Sequence, residues 1–106
     1  MPKHVPLLSI DTQAAPVAGA YKFMGLFVCA GRKTQRQLVL ATLYNRDNPA
    51  TDPVTGHVHF APVPKSPVLV WDISFTLAAA TNYVLVVHTC EPNRPELSAV
   101  WSFKTP

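Results

Sequence analysis

Few residues of this chain could do chemistry, and their spacing decides how much. His57-x-His59 puts two imidazoles on the same side of an extended strand, a spacing compatible with zinc or copper. Such a centre needs a third and a fourth ligand, and only His4, His88 and Cys90 are soft enough to serve. Two histidines on a short edge strand more often face solvent, so no metal is assigned to them. Asp47, Asn48 and Asp52 share one loop and offer the oxygen ligands calcium takes. They lack a regular calcium-loop spacing, and Asn, Asp and Pro are what any turn uses. Arg32, Lys33 and Arg36 interleave with Thr34, Gln35 and Gln37, as in a solvated hairpin loop.

Catalysis finds little to stand on. The chain has no G-x-S-x-G elbow, no glycine-rich phosphate loop, no H-E-x-x-H and no carboxylate pair with evident partners. Its six carboxylates all fall in loops or at outward strand positions, where burial cannot tune them. The expectation is therefore a protein without enzymatic activity and without a cofactor. A net charge of +3 falls short of the basic stripe of a nucleic-acid binder. Trp71, Phe75, Trp101 and Phe103 belong to the core, which leaves no aromatic stripe for bases to stack on. Cys29 and Cys90, without a CxxC or zinc-type spacing, say little about compartment and read as two free thiols.

The elements that must position these residues are strands. A length of 106 residues supports one domain, taken as 1–106. Hydrophobic residues at 48% against 14% charged mark a globular chain. Eleven prolines, four glycines and no long run of helix formers argue for short strands joined by stiff loops. The apolar run after Met1-Pro2-Lys3-His4 is broken by Pro6 and ends at Asp11, too short for a signal-peptide core. The uncharged run from Ile73 to Cys90 contains Ser74, Thr76, Thr81-Asn82 and His88, so it reads as two strands around a corner and not as a membrane span.

Seven strands can be placed. The first four are His4 to Ile10, Tyr21 to Ala30, Gln37 to Tyr44 and a short edge strand from His57 to Ala61. In the fifth, Leu69, Trp71, Ile73, Phe75 and Leu77 alternate with Val70, Asp72, Ser74 and Thr76, a period of two with one buried face. The sixth begins near Tyr83. The last puts Leu97, Ala99, Trp101 and Phe103 inward and Ser98, Ser102 and Lys104 outward.

Leu77, Thr81, Tyr83, Leu85 and Val87 fall at the positions of the L-x-P-x-T-x-Y-x-V-x-V corner, and this stretch resembles fibronectin type III domains. Ala79 stands where that family often has Pro. The closing W-S-F-K-T-P is similar to the last strand of bacterial immunoglobulin-like modules. The resemblance covers about the last 30 residues. It implies a seven-stranded antiparallel immunoglobulin-like or fibronectin III-like β-sandwich in which the Tyr83 hydroxyl ties the corner to nearby backbone. It also implies a place where a Cys29–Cys90 bridge would be looked for, and the strand parity below argues against that bridge. The family's early-strand tryptophan is missing, with Phe23 and Phe27 as nearest substitutes.

If Tyr83, Leu85 and Val87 point inward, then Val84, Val86, His88 and Cys90 point outward. In the expected topology the third, sixth and seventh strands lie side by side. Their outer face then carries Val84, Val86 and Val100, with either Val39 and Leu43 or Leu38 and Leu40. A contiguous exposed apolar patch commonly marks an interface. One end of the sandwich would gather Arg32, Lys33, Arg36, Lys65 and Arg94, tempered by Glu91 and Glu96. The other would hold Asp11, Asp47 and Asp52 against Arg46. The expected function is a non-catalytic protein-binding or self-assembly module, in the simplest case a homodimer. The alternative is a lectin-like or calcium-dependent carbohydrate binder using the loop from Asn45 to Gly56.

Overall fold

The computed structural model describes residues 7–11, 15–28, 39–89 and 96–106. Among the described residues there are eight strands: β1 (Leu7–Ile10), β2 (Gly19–Val28), β3 (Val39–Asn45), β4 (Val54–His57), β5 (His59–Pro62), β6 (Val68–Leu77), β7 (Asn82–Thr89) and β8 (Ser98–Lys104). They form two antiparallel four-stranded sheets, ordered β1-β2-β6-β5 and β4-β3-β7-β8. No helix among the described residues is long and apolar enough to cross a membrane.

Eight strands replace the expected seven because the short fourth strand is really two. Val58 is the switch. His57 pairs with Leu40 of β3, whereas His59, two residues on, pairs with Asp72 of β6 in the other sheet. Between them Val58 is buried, and its N–H donates to the Val39 carbonyl at 3.3 Å. The edge assigned to His57–Ala61 therefore passes from one sheet to the other.

The inward positions follow the alternation of the sequence. Trp71, Phe75 and Leu77 of β6, and Tyr83, Leu85 and Val87 of β7, are buried, while Ser74 and Thr76 are exposed. Val39, Ala41 and Leu43 of β3 enter the same core, which settles that strand's parity. Leu97, Ala99, Trp101 and Phe103 are only partly covered, as suits an edge strand. Between the sheets, Phe23 packs edge-on or tilted against Trp101 and Phe103 at centroid distances of 6.0 and 5.5 Å.

Trp71 is fully buried in the core. Its indole lies against Gly25 of β2, its ladder partner, and donates from Nε1 to the Ser9 carbonyl of β1 at 2.9 Å. Any side chain at position 25 would run into both the Ser9 oxygen and the indole. One glycine thus lets a side chain of β6 tie down the backbone of β1 across β2.

The corner between β6 and β7 is clasped from two sides. The Ala78 N–H donates to the Tyr83 hydroxyl at 2.8 Å. Buried Thr105 donates from Oγ1 to the Ala78 carbonyl at 2.6 Å and accepts from the Thr81 N–H at 3.0 Å. The Ala80 N–H reaches the Pro106 carbonyl at 2.9 Å. Within this clasp Ala80 holds a left-handed φ of 51°, a conformation costing a non-glycine residue about 1–2 kcal/mol.

Two outcomes test this account. Gly25→Ala should lower stability by about 1–3 kcal/mol or more, because the added methyl has no free volume; an unchanged denaturation midpoint would mean that the indole does not lie there. Tyr83→Phe should cost about 1–2 kcal/mol by leaving the Ala78 N–H without its acceptor, read as a fall in Tm of several degrees.

Candidate interaction surface

The ladder registers of the β4-β3-β7-β8 sheet set out its outer face in rows. One row runs His57, Leu40, His88, Ser98. The next is Thr55, Thr42, Val86, Val100, followed by Tyr44, Val84, Ser102. Thr42 and Thr55 share a hydroxyl–hydroxyl hydrogen bond of 3.0 Å, which closes the β3–β4 side of the middle row. The apolar members of these rows are Val84 and Val86, half-buried, with Tyr44 43% and Val100 63% exposed; at β8 the first and third rows end on serines.

Val84, Val86 and Val100 therefore lie together on one surface. Leu40 joins them, while Val39 and Leu43, the other choice for β3, are core residues. Leu38 lies outside the described residues. Tyr44 is the member that sequence reasoning missed, although parity could have found it: an inward Leu43 forces its neighbour out.

The charged poles are brought together only in part. Arg32, Lys33, Arg36, Glu91 and Arg94 lie outside the described residues, as do Cys29 and Cys90. The strand ends flanking those loops do converge, with Val28 beside Val68 and Val39 beside Thr89. Lys65 occupies the β5–β6 turn at this end, with a φ of 59°. At the opposite pole the expected cluster breaks up. Asp11 follows a β1 that stops at the level of Gly25, and its N–H donates to the Met24 carbonyl, so it sits midway along the sandwich.

Asp47 is engaged in structure. Its Oδ2 accepts the Asn82 N–H at 2.7 Å and its Oδ1 the Asn82 side-chain amide at 3.0 Å, pinning the β3–β4 loop to the start of β7. Asn45 Oδ1 accepts the N–H groups of Asp47 and Asn48 and shapes the turn. The oxygens offered for calcium are in part already committed to these bonds. The hydrogen bonds from Asn82 hold the Asp47 carboxyl below its ordinary range, with Lys104 and Arg46 adding smaller effects.

The histidine pair is divided by the sheet switch, which corrects the expectation of two imidazoles on one side of one strand. His57 stands on the β4 edge and His59 on β5, where its Nδ1 lies 3.6 Å from Asp72 Oδ2. Among the described residues no group of three or more His, Cys, Asp or Glu is placed to hold a metal ion. On the side away from Val58, a cleft of about 360 Å³ opens between β1 and β8, lined by Ile10, Asp11, Ala99, Val100 and Trp101.

Comparison of the chain with family models, curated proteins and solved structures finds no match.

The Asp47 contact predicts a definite pH dependence. A depressed folded-state pKa contributes stability that is present above the unfolded value, near pH 4, and is lost as pH falls through the folded value. Asp47→Asn keeps an acceptor but removes the charge. The Tm gap between wild type and this variant should be open at neutral pH and close as pH falls through the lowered folded-state value. A gap independent of pH would assign the stabilisation to another group.

Proposed function

We propose that this chain is a non-catalytic protein-contact module of the immunoglobulin or fibronectin type III kind, which associates through the β4-β3-β7-β8 sheet. The strand order of the two sheets and the tyrosine-tied corner at Ala78 and Tyr83 support that kinship. The observation that carries the functional reading is the row Val86–Val100 with Val84 and Tyr44 beside it, left uncovered by any described element. A side chain as exposed as Val100, set on a sheet that already has a full core behind it, gains from a second surface. The basic residues Arg32, Lys33, Arg36 and Arg94, outside the described residues, would favour acidic partners.

Self-association is the simplest form of this function. Sedimentation of the wild-type chain should show a concentration-dependent dimer, and Val100→Lys should weaken it about tenfold or more, since one buried valine is worth about 1.5–3 kcal/mol. A strict monomer up to millimolar concentration would remove the self-association reading.

A further inference from the structure

We propose that two copies of this chain pair through β8, strand against strand and antiparallel, about a two-fold axis at Val100. This rests on the self-association reading above and names the surface and the register that produce it.

The phase of the β7–β8 ladder is set at both ends. Thr89 N–H donates to the Leu97 carbonyl at 3.0 Å, and Thr105 N–H to the Thr81 carbonyl at 3.0 Å. Bonded and non-bonded pairs alternate along an antiparallel ladder. Ala99, Trp101 and Phe103 therefore turn their backbone groups toward β7, and Ser98, Val100, Ser102 and Lys104 turn theirs to the open edge. β1 runs alongside but pairs only with β2, so among the described residues no strand takes this edge. Free edges are usually blunted by proline, a bulge or a central charge. β8, Ser-Ala-Val-Trp-Ser-Phe-Lys, has only the lysine at its end.

The edge is nearly palindromic in chemistry: Glu96-Leu97-Ser98-Ala99-Val100-Trp101-Ser102-Phe103-Lys104. Antiparallel pairing about Val100 sets Val100 against Val100, Ser98 against Ser102, and Glu96 of each copy against Lys104 of the other. All of these side chains lie on the outer face. Every backbone group turned outward by the β7 ladder then finds a complement, since the bonded positions of the two strands coincide. On the inner face Ala99 of one copy meets Trp101 of the other, small against large. The cleft lined by Ile10, Asp11, Ala99, Val100 and Trp101 opens at this part of the edge. Moving the axis to Trp101 would put Lys104 opposite Ser98 and Val100 opposite Ser102, and both the charge match and the valine contact would go. The result is an isologous dimer with one continuous eight-stranded sheet.

Sedimentation equilibrium of four chains tests this: wild type, Lys104→Glu, the double variant Glu96→Lys with Lys104→Glu, and Val84→Lys, which alters the face but not the edge. The wild type should dimerise. Lys104→Glu places two like-charged pairs across the axis and should weaken the dimer about tenfold, and the double variant should return it to within about threefold of wild type. Val84→Lys, one strand in from the edge, should weaken it by less than Lys104→Glu does. A dimer lost in Val84→Lys yet indifferent to Lys104→Glu would overturn edge pairing while leaving face-to-face association standing. Monomers at every concentration would overturn both.

Discussion

The two sheets are keyed together by the ring of Phe23. It has no exposed surface and meets four other rings, Tyr21 and Phe75 from its own sheet and Trp101 and Phe103 from the one facing it. Each such edge-on or tilted contact contributes about 0.5–1.5 kcal/mol beyond the area it buries. Its more important effect is on phase. With Trp101 and Phe103 held against Phe23, the odd positions of β8 must face inward and the even ones outward. The exposure of Val100 and the direction of the β8 backbone groups both follow from that. The surface available for contacts is thus a consequence of core packing, and a change at Phe23 would reach it without touching it.

Much of this was legible in the sequence, for a definite reason. The inward positions of β6, β7 and β8 are written in strict alternation, Trp71 to Leu77, Tyr83 to Val87 and Leu97 to Phe103, and a period of two needs no knowledge of partners. The corner could be read because its tie is local, from Tyr83 to Ala78 five residues away. What was not legible depends on residues far apart in the chain. The bond from Trp71 to Ser9 spans 62 positions, and nothing in Gly25 itself announces that an indole will occupy the space it leaves. The division of the fourth strand was hidden as well, since His57-Val58-His59 reads as one uninterrupted strand until the two sheets compete for it. Asp11 was sent to the wrong place for a related reason, because the length of β1 is set by its pairing with β2.

On the surface, residues that suggested chemistry have largely structural work. Asp47 closes a loop onto Asn82, and His59 and His88 stand near Asp72 and Glu96. The least conspicuous residues, valines and serines on the last two strands, are the ones left with unsatisfied surface. The proposed pairing places the most exposed apolar side chain, Val100, at the axis.

The crossing at Val58 also decides how the molecule can come apart. Along that border a single segment belongs to both ladders, so the layers cannot separate there until β4 or β5 has been peeled from its neighbour. Along the opposite border, among the described residues, no ladder joins β1 to β8. The layers are therefore joined by ladder bonds at the Val58 border and only by packing where β1 faces β8.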